Sequence, residues 1–393
     1  MSNGRPPLPL AGLRVVEVSS FVAAPTAGLT LRQLGAEVIR IDPVGGAADT
    51  KRWPLSADGR SIYWAGLNRG KASVELDLSS ATGQELLREL VCASGPGNGI
   101  LVSNVFGRAW LSDETLRASR PDLVHVQVLG RADGSPAVDY VVNAATGLPY
   151  ATGPENATEP VNHVLPAWDL LTGMHAATAI LAAVHRRRED GAGAYITVSL
   201  EDVATSTLTT LGLVSEAHQS GVSRPRVGNA VYGTFGTDAT LADGTAVMVT
   251  AVTSRQWRQL LDVTECTGAV DDLAARVGAD FADEGDRYRH RAEIVALLRP
   301  WFAVRTEAEV AAALNGTQVL WAPFRHLTDL AADVAGGGSA VAAVIDEPGL
   351  GSNAVTTGPL RLRGEDAPTV APAPVLGADT DAVVAAVTSG GLT

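Results

Sequence analysis

A lone carboxylate in an apolar stretch marks where chemistry is most readily sought in this chain. Asp169 interrupts the run His163-Val-Leu-Pro-Ala-Trp-Asp169-Leu-Leu-Thr-Gly173-Met174, which leads into an apolar helical surface carrying Ala176, Ala177, Ile180 and Leu181. Taking a carboxylate out of water is costly unless partners or a task compensate. Two readings stand side by side: a nucleophile for covalent chemistry, or a helix cap accepting a backbone N–H two residues downstream. Asn104 closes the run Ile100-Leu-Val-Ser-Asn104 and either offers its amide to a ligand or starts a turn. The cluster His185-Arg186-Arg187-Arg188, with Gly191 beyond it, suits a helix carboxyl terminus before it suits a phosphate.

The elements that must position these residues alternate in type. The spacing predicts a strand over 13–18, a turn over 21–25, a helix over 26–34 ended by Gly35, and a strand over 37–41 before Pro43, Gly45 and Gly46. The pattern recurs as strand 72–77, helix 82–91, strand 100–104, helix 113–118 and strand 124–129. A long helix over 168–188, a strand over 194–199 and an apolar helix ending at His218 follow. Such alternation predicts an α/β fold with a parallel sheet and a ligand at the carboxyl ends of its strands, where the turn over 21–25 falls. No G-x-G-x-x-G fingerprint is present, so a dinucleotide site of the usual form is not expected. Gly, Ser, Arg and Pro gather over 221–226, which places a first domain over 1–224 and a small α+β domain over 225–330. The latter holds a strand over 246–250 and helical segments over 254–261 and 271–301, and residues 331–393 return to Ala- and Gly-rich sequence.

Composition narrows the classes further. With 393 residues, 46% hydrophobic and 19% charged, the chain can bury a sizeable core and form two domains. A formal net charge of -13 argues against a nucleic-acid surface while leaving room for a local basic pocket. Cys92 and Cys266 are the only cysteines and no Cys-x-x-Cys pair occurs, so neither a disulfide framework nor a zinc site is expected; no metal is assigned. The start Met1-Ser-Asn-Gly-Arg-Pro-Pro lacks an apolar secretory core, and no run of about 18 uncharged apolar residues is read from the sequence. The expectation is a cytoplasmic protein without a membrane partner.

Several dispersed motifs, in order, give a resemblance. They are Pro9-Leu-Ala-Gly-Leu-Arg-Val-Val16, Ala23-Ala-Pro25, Leu34-Gly-Ala-Glu-Val-Ile-Arg-Ile-Asp-Pro43, Leu67-Asn-Arg-Gly-Lys-Ala-Ser-Val-Glu-Leu-Asp77, Ser103-Asn104, and Gly236 through Asp243-Gly244. Over nearly its whole length the chain resembles the family III CoA-transferases, the CaiB/BaiF family. The resemblance implies a Rossmann-like large domain built from both ends of the chain, with 331–393 completing it, a smaller inserted domain, and an interlocked homodimer. It also implies a nucleophilic Asp at Asp169, before the matched pair Gly173-Met174, with oxyanion donors among backbone N–H groups near the same helix start. Acyl-CoA and a dicarboxylate are the implied small-molecule partners, with no cofactor beyond the CoA carried by the substrate.

Carried over residue by residue, the family pattern brings the nucleotide of CoA to Phe21, Val22 and Ala23. Leu67, Lys71, Asn104 and Val105 then line the nucleotide or pantetheine path, and Arg40 and Arg108 supply positive charge for phosphates. Pro43 departs from the pattern, since a transferase relative carries a basic residue there. Related racemases place a His where this chain has Val138, and valine cannot exchange a proton; Asp139 or His163 would have to replace it. Trp53-Pro54, Tyr63-Trp-Ala-Gly-Leu-Asn68, Val161-Asn-His-Val-Leu-Pro-Ala-Trp-Asp169, Gly228-Asn229, Tyr232-Gly233 and Glu284-Gly-Asp-Arg287 resemble a narrower branch. There CoA moves between the C1 and C4 carboxyls of one unsaturated C5 diacid, 2-methylfumarate (mesaconate). Tyr140, Asn162, His163 and Arg226 become candidate contacts to the diacid. An intermolecular transferase with a separate acid acceptor, a racemase, and a CoA-binding protein without turnover are the alternatives.

Overall fold

Parallel strands buried on both faces must be short continuous apolar runs, and five such runs pair with one another and with a half-exposed edge strand in the computed structural model, which describes residues 8–361 and 370–391. β1 (Arg14–Val18), β2 (Glu37–Pro43), β3 (Ala72–Leu76), β4 (Ile100–Ser103), β5 (Val124–Leu129) and β6 (Ala194–Ser199) form one sheet in the order β3-β2-β1-β4-β5-β6. All five pairings are parallel. The order reverses between β1 and β4, and the crevice outside their carboxyl ends is the topological switch point at which doubly wound sheets bind ligands.

One sheet face packs Val16, Val18, Ile39, Ile41, Val74 and Leu101 against Leu87, Leu90 and Leu116 of the helices Ala81–Val91 and Asp113–Ser119. On the other, the helix Ala23–Gln33 lies against the helix Ala167–Asp190. Gly173 permits that approach: a Cβ there would meet the Ala23 carbonyl oxygen at 2.5 Å. By length and composition alone the Ala167–Asp190 helix could cross a membrane, unlike anything read from the sequence. Here it packs as a core helix, with Ala176, Ala177 and Ile180 buried. The single helix expected before His218 is two, Leu200–Thr210 and Leu213–Ser220, broken at Gly212 with φ 80°.

Two compact units result. The first gathers the described residues of Met1–Thr146, His163–Ser215 and Ala331–Thr393, and the second comprises Gly147–Asn162 and Glu216–Leu330. In the second, β7 (Phe235–Thr240), β8 (Ala246–Ala251) and β9 (Leu320–Pro323) form an antiparallel sheet whose core holds Phe235, Val249, Trp257, Leu260 and Phe302. The segment 147–162 joins this unit through Arg226, which donates to the carbonyls of Pro149, Ala157 and Glu159, and through Arg291, which pairs with Glu155.

In the first unit the returning segment closes an exposed sheet edge, as edge strands require. The Asp379 carboxylate accepts the Ser73 N–H at 2.8 Å, and the Asp379 N–H donates to the Ser73 carbonyl at 3.0 Å. A buried fork holds the same segment: Arg69 donates to both Glu347 oxygens at 2.9 and 2.6 Å, and the Ala373 N–H adds a third donor at 3.0 Å. Burial alone would raise the Glu347 pKa, but Arg69 and the amide donors override it and hold the group at about 2. The stabilisation is therefore complete above the ordinary value of 4.5 and is lost as pH falls towards 2. Replacing Arg69 with Met leaves Glu347 without its counter-charge and is expected to cost about 3–5 kcal/mol in urea unfolding at neutral pH. A loss under about 1 kcal/mol, the range of an exposed pair, would contradict this.

Candidate active site

Asp169 stands in the first turn of the Ala167–Asp190 helix, whose N-cap, Pro166, offers no side-chain acceptor. The cap comes from Asp139, at the start of the helix Asp139–Ala145. Its Oδ2 accepts the N–H groups of Trp168 at 2.7 Å and Asp169 at 3.2 Å, while its Oδ1 meets His163 Nε2. The capping reading of Asp169 is thereby corrected: a carboxylate from another helix does that work. The helix-start amides also cannot serve as oxyanion donors as expected, because Trp168 and Asp169 donate to Asp139, Ala167 to Leu165 and Leu170 to Pro166. Trp168 is fixed by its indole N–H on Asn143 Oδ1 at 3.0 Å, and Tyr140 donates its hydroxyl to the Val164 carbonyl at 3.3 Å.

The Asp169 side chain faces a cavity of about 610 Å³ at the switch point. Phe21, Val22 and Ala23 after β1, Asn104 and Phe106 after β4, and Leu129 and Gly130 at the end of β5 wall it, with Arg52, Tyr63, Val138, Asp139 and Tyr140. Burial is the main reason that the Asp169 pKa rises from 3.8 to about 7; the nearby Asp139 charge adds to the rise and Arg52 opposes it. Near neutrality the group is thus poised between its protonated and ionised forms. Burial, with smaller contributions from Asp169 and Asp49, likewise pushes the Tyr63 hydroxyl up to about 12.

The structure separates the other sequence-derived residues. Phe21, Val22, Ala23, Asn104 and Tyr140 line the cavity with Asp169. Val105 and Arg108 line a neighbouring groove of about 540 Å³ with Ser19, Ser20, Ile41 and Pro43, also at the carboxyl ends of β1 and β2. Asn104 does not present a free amide as expected; its side chain clamps Ser20, accepting from its N–H at 3.1 Å and donating to its carbonyl at 2.8 Å. Arg40 and Lys71 are corrections. Both are buried beneath the Ala23–Gln33 helix, so neither reaches a phosphate. Arg40 forks onto Asp42 at 2.9 Å and reaches Asp49 at 3.1 Å, and Lys71 pairs with Glu17 at 2.8 Å. Burial lowers the Lys71 pKa to about 8 against the pull of Glu17. Leu67 is half-buried on the helix Ile62–Asn68. His163 turns to Asp139, and Arg226 turns both terminal nitrogens to carbonyls of the second unit, where exposed Asn162 also lies. Arg52 carries no sequence signal, and Asp139, which the sequence offers only as a substitute base, instead caps the helix that bears Asp169. Trp53 and Tyr63 were noted as motif residues, but nothing periodic in the loop over 44–60 marks Arg52.

Fold and cavity together define a doubly wound α/β protein with a carboxylate poised at its switch point. A model of CoA-transferase family III matches residues 10–380, and the chain belongs to that family. It is 45% identical over 378 residues to 2-methylfumaryl-CoA isomerase of Chloroflexus aurantiacus, covering 95% of this chain and 92% of that protein. It is 28% identical to succinyl-CoA:mesaconate CoA-transferase of Haloarcula hispanica over 335 residues, 82% of this chain and 81% of that one. The crystal structure of a CaiB/BaiF family protein from Brucella suis superposes with a TM-score of 0.79 at 25% identity, covering 97% of this chain and all of that one, 100%.

The Asp169–Asp139 pair carries two tests. If Asp169 reacts as its carboxylate, CoA transfer rises with pH through about 7, and Asp139→Asn, by removing the like charge, moves that acid limb to lower pH. A pH-rate profile flat from about pH 5 to about pH 8 would contradict this. The folded chain also holds the Asp169 proton more tightly than the unfolded chain, so ionisation costs stability as pH rises from 3.8 through about 7. Asp169→Asn should therefore melt above wild type at alkaline pH, by a margin that narrows as the pH is lowered. An unchanged or lowered melting temperature at alkaline pH counts against it.

Proposed function

We propose that this chain moves CoA between the C1 and C4 carboxyl groups of 2-methylfumaryl-CoA (mesaconyl-CoA), with Asp169 as the covalent carrier. The observation that carries this reading is the Asp169 carboxylate, uncommitted to capping and held in the switch-point cavity of a chain 45% identical to a 2-methylfumaryl-CoA isomerase. An Asp169 oxygen attacks the C1 thioester carbonyl, and the C–S bond breaks to give a mixed anhydride and CoA thiolate. The thiolate attacks the aspartyl carbonyl, the anhydride C–O bond breaks, and the products are aspartyl-CoA thioester and the free dianionic diacid. The C4 carboxylate then repeats the two steps in reverse, restoring Asp169 and leaving CoA on C4. Because donor and acceptor carboxyls share one molecule, the returning attack has a high effective concentration.

CoA is taken to run past Phe21, Val22 and Ala23, with Val105 and Arg108 contributing the neighbouring groove; no cofactor beyond the substrate's CoA is invoked. The interlocked homodimer and a cytoplasmic location belong to the same proposal. Val138 supports transfer over racemisation, since the residue at that cavity wall has no exchangeable proton. The test is an assay of purified enzyme with C1-linked substrate and no added acid, with mass analysis after trapping the enzyme thioester. Asp169→Ala and Asp169→Asn should lower turnover by at least about 10³-fold and form no adduct, while CoA binding persists. Near-wild-type isomer formation by Asp169→Ala would sink the nucleophile; turnover only with a second carboxylic acid would favour the intermolecular transferase.

A further inference from the structure

The proposed transfer creates a retention problem. Once CoA has moved to Asp169, the diacid carries two carboxylates and no covalent bond to the chain. It sits in a cavity lined by Asp139, whose charge repels it, while Asp169 is neutral as the thioester. Escape would strand the enzyme thioester. A cation facing the cavity is needed to hold the diacid, and among the described residues lining it Arg52 is the only arginine or lysine.

Arg52 is built for that task. Its backbone is pinned on both sides, the N–H donating to the Asp49 carbonyl at 3.1 Å and the carbonyl accepting the Ser61 hydroxyl at 2.5 Å. Its guanidinium lies 5.6 Å from the Phe21 ring centroid and 5.2 Å from that of Tyr63. Both rings lie within cation–π range of the guanidinium, whose N–H groups can still meet a carboxylate. Among the described residues, the guanidinium makes no hydrogen bond or ion pair, in contrast to Arg40, whose donors are spent on Asp42, Asp49 and Asn68. A preorganised, uncommitted fork suits bidentate carboxylate binding. We propose that Arg52 is the specificity-determining anchor that grips the free carboxylate of the diacid and retains it while CoA resides on Asp169, an inference that rests on the intramolecular reading above.

The experiment follows isotope-labelled free mesaconate during isomerisation of unlabelled mesaconyl-C1-CoA, for wild type, Arg52→Gln and Arg52→Lys. In parallel, aspartyl-CoA formation from crotonyl-CoA, which has no second carboxylate, is followed by mass. Wild type should isomerise without taking up label. Arg52 is exposed, and losing one partner of an exposed charged pair costs up to about 1 kcal/mol, so label uptake per isomerisation should rise about 5-fold in Arg52→Gln, with partial reversal in Arg52→Lys. The rate on mesaconyl-CoA relative to crotonyl-CoA should fall by a similar factor. If wild type retains the diacid and Arg52→Gln does too, with the rate ratio unmoved, the anchor is wrong and the intramolecular reading stands. Equal losses on both thioesters would assign Arg52 to CoA phosphates or to folding and would overturn the proposal. Label entering at the isomerisation rate in wild type would overturn the intramolecular reading and the anchor with it.

Discussion

The carboxylate of Asp139, almost wholly buried, is the contact on which the site depends. It accepts two amides of a helix start that would otherwise lack a cap, and that bond sets where the first turn, and so Asp169, begins. An N-cap of this kind is worth about 1 kcal/mol, with the helix dipole adding up to about that again. The same negative charge disfavours ionisation of Asp169. Capping therefore positions the candidate nucleophile and also restrains it, and the opposing charge of Arg52 keeps the carboxylate within reach of neutral pH.

The Phe21 turn is tied to a buried ionic cluster. Glu17, Arg40, Asp42, Asp49 and Lys71 are all buried, and each has an opposite charge in contact. A buried pair contributes little net stability, yet breaking one side is severe, so such a cluster acts chiefly to specify geometry. One member, Asp49, accepts the Phe21 N–H at 2.9 Å. Phe21 has φ 65°, the left-handed region that a bulky residue rarely adopts without a tertiary contact to hold it. Charges beneath the Ala23–Gln33 helix thus shape the turn through which Phe21 reaches the cavity and comes within cation–π range of Arg52.

Much of this architecture was legible because β-rich runs announce themselves: the runs at 124–129 and 194–199 match the buried β5 and the half-exposed edge strand β6 to the residue. Asp169 stood out for the same reason, a charge where the pattern is apolar. What sequence reading could not supply were partnerships across long separations. Asp139 meets the Asp169 amide across 30 positions, and Lys71 meets Glu17 across 54. Residue type alone made Arg40 and Lys71 resemble phosphate contacts, since nothing local shows that carboxylates converge on them. The helix start over-promised oxyanion donors for the same reason. Arg52 lay in a turn-rich loop with no period, and only the neighbouring rings reveal its orientation.

The central claim, that one carboxylate carries CoA between two carboxyls of the same molecule, implies a definite route for oxygen. When the C4 carboxylate attacks the aspartyl thioester and the thiolate then attacks C4, the bridging oxygen of the anhydride stays on Asp169. The direct measurement is a single turnover of mesaconyl-C1-CoA carrying heavy oxygen in its C4 carboxylate, followed by mass analysis of the peptide containing Asp169. The account predicts one heavy oxygen in the Asp169 side chain for each isomer formed. Complete isomerisation with no label in that peptide would contradict it.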